Sequence, residues 1–76
     1  MKSAKEMFEE LGYELVSQDS TIIRYEKDFD IIKFNLSDNT IEVYDDWYYE
    51  KPFNQIDMKE LQAINKQVEE LGWFDE

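Results

Sequence analysis

Ile22-Ile-Arg-Tyr-Glu-Lys-Asp-Phe-Asp-Ile-Ile-Lys-Phe-Asn-Leu-Ser-Asp-Asn-Thr-Ile-Glu-Val-Tyr44 is the stretch that decides the fold. Apolar side chains alternate with polar ones in three runs: Ile23 and Tyr25, then Ile32, Phe34 and Leu36, then Ile41 and Val43. That period belongs to strands with one buried face. A two-residue turn at Asp38-Asn39 sets Leu36 opposite Ile41 and Phe34 opposite Val43. A similar turn at Lys27-Asp28 sets Ile23 opposite Ile32. Upstream, Tyr13 and Leu15 alternate as well, and a three-residue loop at Gln18–Ser20 sets Leu15 opposite Ile23 and Tyr13 opposite Tyr25. All three registers hold the strong apolar residues on one face. The prediction is an antiparallel meander of four strands, the first of them the least strongly patterned.

Helices flank this meander. Ser3 with Glu6 forms a capping box, and Ala4, Met7, Phe8 and Leu11 recur at helical spacing up to Gly12, which predicts a helix over 3–11. Asp57 with Glu60 forms a second box, and Ile56 with Leu61 occupies the positions of a hydrophobic staple. Met58, Leu61, Ile64, Val68 and Leu71 form the expected buried stripe, with Ala63 and Gln67 at its edges. Gly72 ends this helix and places Trp73 to pack back on Val68. Both helices close on Glu-Glu-Leu-Gly followed by an aromatic, a shared stop. The fold class is α+β in the order α-β-β-β-β-α, one domain over 1–76 with both helices on one sheet face.

Composition narrows the function. The 76 residues contain no cysteine and no histidine, which excludes a disulfide framework, a zinc finger, a thiol nucleophile and a histidine triad. Nineteen acids against eight bases give a formal charge of −11, which argues against a grip on nucleic-acid phosphates. The longest apolar runs are too short to span a membrane, and the opening residues have no apolar stretch, so the expectation is a cytoplasmic protein without membrane contact. Adjacent carboxylates such as Asp45-Asp46 or Glu69-Glu70 diverge on a strand or a helix, and no phosphate-cradling or nucleophile motif is present. The expectation is therefore no enzyme, no metal and no cofactor.

Three features suggest binding. The segment from Asp45 to Phe53 has four aromatics among its acids, and Trp47, Tyr48 and Tyr49 are candidate anchors for a protein partner. The alternative is that Trp47 and Phe53 plug the end of a thin core while the tyrosines lie half exposed. From Asp38 to Glu60 there are seven acids and two bases, and Asp45, Asp46, Glu50, Asp57 and Glu60 are the candidate acidic contacts. Such a surface fits a basic groove by setting carboxylates where phosphates would sit, although strong acidity also simply confers solubility. Finally, Val16, Ile22, Ile31 and Tyr44 fall on the sheet face away from the helices, where they suit self-association into a weak homodimer; the alternative is a monomer with scattered surface apolar groups.

The strand-and-two-helix order also describes, minus one strand, the double-stranded-RNA-binding domain. That domain needs a basic start to its second helix, whereas this helix starts Asp57-Met58-Lys59-Glu60. The two terminal segments, Ser3-Ala-Lys-Glu-Met-Phe-Glu-Glu-Leu-Gly-Tyr13 and Ile56-Asp-Met-Lys-Glu-Leu-Gln-Ala-Ile-Asn-Lys-Gln-Val-Glu-Glu-Leu-Gly-Trp73, resemble the ends of small uncharacterised phage and prophage proteins of low-GC Gram-positive bacteria. The resemblance implies a mobile-element origin and expression in the host cytoplasm. On that reading the partner is a basic nucleic-acid-binding host protein, as in anti-restriction or anti-CRISPR inhibition, with no direct nucleic-acid contact by this chain.

Overall fold

Ser3 opens the first helix, α1 (Ala4–Glu10), by accepting from the Glu6 amide, while the Glu6 carboxylate accepts from the Ser3 amide. The hydrogen bonds to Ser3 also hold the Glu6 carboxyl below its ordinary pKa. At the other end the Gly12 amide bonds to the Glu9 carbonyl and the Tyr13 amide to the Phe8 carbonyl, both at 3.0 Å. This closure turns the chain through Gly12 at a φ of 96°, a left-handed conformation in which a Cβ is strained. The chain then enters β1 (Glu14–Gln18), β2 (Ile22–Lys27), β3 (Asp30–Asn35) and β4 (Thr40–Asp45), and returns as α2 (Met58–Leu71) and a short 3-10 turn, Trp73–Asp75. The computed structural model describes residues 1–45 and 55–75.

The four strands form one antiparallel sheet in sequence order. The meander is as the alternation predicts, but each register differs. Ile23 faces Phe34 and not Ile32, because the turn falls on Asp28-Phe29, with Asp28 taking a φ of 53°. Phe34 faces Ile41 and not Val43, because the chain leaves the ladder at Asn35 and rejoins it at Thr40. Asn39 takes the left-handed conformation there, at a φ of 57°, and the Thr40 hydroxyl donates to Asp38. In both hairpins the partner has moved by two positions. A slip of two returns every side chain to its own face, so the predicted inner residues keep the inner face, although Ile41, on the edge strand β4, is exposed there. The first strand departs further. Leu15 faces Tyr25, then a bulge at Val16 changes the register so that Ser17 faces Arg24.

Both helices lie on the inner face of the sheet. Phe8 is stacked on Tyr25 with ring centroids 4.0 Å apart, and meets Tyr13 and Phe34 edge-on at 5.7 and 6.2 Å. Ile23, Ile32, Ala63, Ile64 and Val68 complete the buried cluster, and Leu15, Leu36, Val43, Leu71 and Trp73 pack around it. Trp73 tilts toward Phe34 at 6.3 Å, so its documented ring contact is with the sheet.

The buried arc of α2 is rotated from the expected stripe. Ala63, Ile64, Gln67 and Val68 form its centre, whereas Met58 is 66% exposed and the proposed staple residue Ile56 is exposed too. The cause is α1, which packs beside α2, so that α2 turns a face toward the helix as well as toward the sheet. Gln67 can then be buried, because its side-chain oxygen accepts from the Tyr25 hydroxyl at 3.0 Å. Among the described residues no helix is long and apolar enough to cross a membrane.

Candidate functional site

Two hydrogen bonds fix how the helices run. The Ala4 amide, at the start of α1, donates to the Glu70 carboxylate near the end of α2 at 2.8 Å. The Tyr13 hydroxyl, just past the end of α1, donates to Glu60 in the first turn of α2. The helices are therefore antiparallel, and the start of α2 lies beside the residue that leads into β1.

Around Tyr13 several carboxylates gather. Its phenol is pushed far above the ordinary tyrosine value, first by burial, next by the bond to Glu60, and then by the charges of Glu60, Asp30 and Asp57. Asp30 opens β3 and faces Asp45 across the ladder, and Asp28 lies in the turn just before it. The β2–β3 turn, β3, β4 and the start of α2 thus deliver Asp28, Asp30, Asp45, Asp57 and Glu60 to one end of the domain. Lys27 also lies here, with its ammonium 5.8 Å from the centre of the Tyr13 ring. Asp30 and Asp45 thus set two carboxyl groups on facing positions of the β3–β4 ladder. Among the described residues no group of three or more such side chains is arranged to hold a metal ion.

The structure assigns unequal roles to the predicted acidic contacts. Glu60 is engaged on both carboxylate oxygens: one accepts from the Asp57 amide at 2.8 Å and the other from Tyr13. It acts as a joint between β1 and α2. Asp57 caps α2 by accepting from the Glu60 amide at 2.8 Å and remains exposed. Asp45 is partly buried at the end of β4. Asp46, Trp47, Tyr48, Tyr49 and Glu50 lie outside the described residues. Asp28 and Asp30 belong to this end and were missed, because the expected register set Asp45 opposite Ile32 and not opposite Asp30. Ending β3 at Asn35, with Leu36 in the β3–β4 connection, is what brings Asp30 opposite Asp45.

The open face of the sheet is different. Arg24 Nε lies 2.9 Å from Glu26, Lys33 faces Glu42, and Asn35 donates to both Thr40 and Glu42. This is a balanced polar surface of the kind an uncovered antiparallel face requires. Of the four side chains expected to form an apolar contact patch there, Val16 is 43% exposed, while Ile22 and Tyr44 are half-buried. Ile31 is only 1% exposed, with Glu26 and Tyr44 as its neighbours on either side in the ladders. Its expected availability for contact is corrected: an interior strand position flanked by long side chains does not present its own. No protein-family model, curated protein or solved structure matches the chain.

Proposed function

We propose that this chain is a non-enzymatic acidic binding protein of phage or prophage origin, acting in the host cytoplasm on a basic nucleic-acid-binding protein. The observation that carries this reading is the gathering of Asp28, Asp30, Asp45 and Asp57 from the β2–β3 turn, two strands and a helix start at one end of the domain. Carboxylates set on a rigid sheet and a capped helix enter a cationic groove with little loss of entropy, and steering by the −11 charge speeds the encounter. Anti-restriction or anti-CRISPR inhibition is the activity this mode would serve.

The test is to use the folded protein as bait in lysate of a low-GC Gram-positive host, at low salt and at about 0.5 M salt, where charges are screened within a few ångströms. The expected result is a basic nucleic-acid enzyme retained only at low salt and displaced by added DNA. Retention that ignores salt and DNA, or equal capture by a variant with Asp45 and Asp46 reversed in charge, would refute the reading.

A further inference from the structure

The acidic end of the domain also carries apolar side chains outside the core. Phe29, between Asp28 and Asp30 in the β2–β3 turn, is 49% exposed. Ile56 and Met58, on either side of the capping Asp57, are 41% and 66% exposed. Two segments thus interleave the same two chemistries: acid-apolar-acid in Asp28-Phe29-Asp30, and apolar-acid-apolar in Ile56-Asp57-Met58. Tyr13 brings the segments together. Its hydroxyl is bonded to Glu60 in the first turn of α2, and the charges of both Asp30 and Asp57 act on its phenol.

Local packing does not account for this exposure. Ile56 precedes the Asp57 cap, the place from which a staple would shelter it on Leu61, and yet it stays open to solvent. The rotation of α2 toward α1 leaves Met58 outside the buried arc. The charge around these side chains is mostly negative. Asp30 and Asp45 face each other across the ladder, and Glu14 opens β1 at the same end, facing Glu26. Lys27 is laid back along Gly12, with its ammonium over the Tyr13 ring. Lys59 lies on the flank of α2 that it shares with Glu10 of α1.

We infer that this end docks in a basic groove floored with aromatic side chains, the kind that holds single-stranded nucleic acid, with Phe29, Ile56 and Met58 where bases would stack and carboxylates where phosphates would lie. The inference rests on the acidic-binding reading above and supplies the apolar half of the contact. A duplex turns its phosphates outward and keeps its bases stacked, so a surface that grips duplex backbone answers it mainly with cations. A single strand exposes both, and its grooves combine cations with aromatic platforms. Acids interleaved with apolar side chains complement the second pattern, and methionine adapts its shape to the ring it meets. The charge of −11 acts in one direction throughout: it draws a basic groove and holds off an acidic partner or a second copy of this chain.

The experiment is amide NMR of the isotopically labelled full chain, titrated with two peptides of equal length and charge, one alternating Arg and Trp, the other Arg and Ser. The expected result is that the Arg/Trp peptide binds about tenfold more tightly, as one well-stacked ring implies, and shifts Phe29, Ile56 and Met58 together with Asp28 and Asp57. Phe29→Ser and Met58→Ser, each with an unchanged far-ultraviolet spectrum, should remove that advantage and leave the weaker Arg/Ser binding as it was. In a competition at about 50 mM salt, the chain should displace labelled oligo(dT) from a purified single-strand-binding protein and leave a labelled duplex on a purified histone-like protein. Equal binding of the two peptides, or binding that ignores both substitutions, would overturn the inference while leaving the acidic reading in place. Displacement of the duplex as readily as of oligo(dT), or of neither, would overturn it also. Failure of both peptides to bind would overturn the two together.

Discussion

The inner face of the sheet and the acidic end beside it are built on opposite terms. On the inner face nearly every group satisfies its neighbour: Phe8 lies on Tyr25, Tyr25 donates to Gln67, and Ala63 leaves room for the helices to close. At the acidic end Asp30 faces Asp45, with Asp28 and Asp57 nearby. One region packs rings and aliphatic side chains against one another, whereas the other gathers carboxylates. Tyr13 joins them, its ring against Phe8 and its hydroxyl on Glu60. The fold therefore holds its charged end in place from the core outward.

The comparison breaks most directly at Phe8. Phe8→Ala should cost about 3–5 kcal/mol, a large part of the stability of so small a domain, and urea denaturation should show the chain mostly unfolded at 25 °C. If the variant remains fully folded, the core does not rest on this ring.

Alkaline pH comes next. Burial pushes the Tyr25 phenol up to about 12, helped by the charges of Glu70 and Glu9, and Tyr13 is raised as well. In the unfolded chain both ionise near pH ~10. The unfolded state therefore releases protons that the fold retains, so the stabilisation is complete below pH ~10 and is lost as pH rises toward the folded values. Tyr25 alone should account for about 2–3 kcal/mol of that loss. Denaturation midpoints between pH 8 and 12, read beside the phenolate absorbance, would show a flat line if the rings are not buried as described.

Tyr13→Phe tests the joint itself. The ring contact with Phe8 survives, but Glu60 loses a donor, and a cost of about 1–2 kcal/mol is expected by urea titration. Gly72→Ala acts on the backbone alone, because nothing lies within 4 Å of the added Cβ while φ is 76°. It should cost about 1 kcal/mol, seen as a lower midpoint at unchanged slope.

The smallest effect on stability is the one that sharpens the comparison. Asp28→Asn and Asp57→Asn remove two charges from the acidic end while preserving what the backbone needs, since asparagine tolerates positive φ and caps a helix as well as aspartate. Stability should change by less than about 0.5 kcal/mol. Low-salt capture of a basic partner should nevertheless fall. Unchanged capture would detach the acidic end from function.

Much of this architecture was legible in local sequence. Ser3 with Glu6 and Asp57 with Glu60 mark the helix starts, because a cap is a bond between residues three apart. Gly12 and Gly72 mark the stops, because a left-handed residue favours glycine whatever surrounds it. The period of two placed the strands and their faces. The candidate acidic contacts were legible only in part: Asp45 and Asp57 are at one end as acids, but Glu60 is committed to Tyr13. Of the apolar contacts expected on the other sheet face, Ile31 is buried.

What tertiary structure decided is what depends on partners distant in the chain. The turns settled one residue from their expected positions, which moved Asp30 opposite Asp45. The bulge at Val16 freed the first strand from a regular ladder. The packing of α1 beside α2 rotated the buried arc of α2 onto Gln67 and exposed Met58. Alternation specifies a face but is blind to a slip of two, and a helical stripe specifies a direction but not how many neighbours will share it. Those choices are made by close packing, which no short stretch of sequence contains.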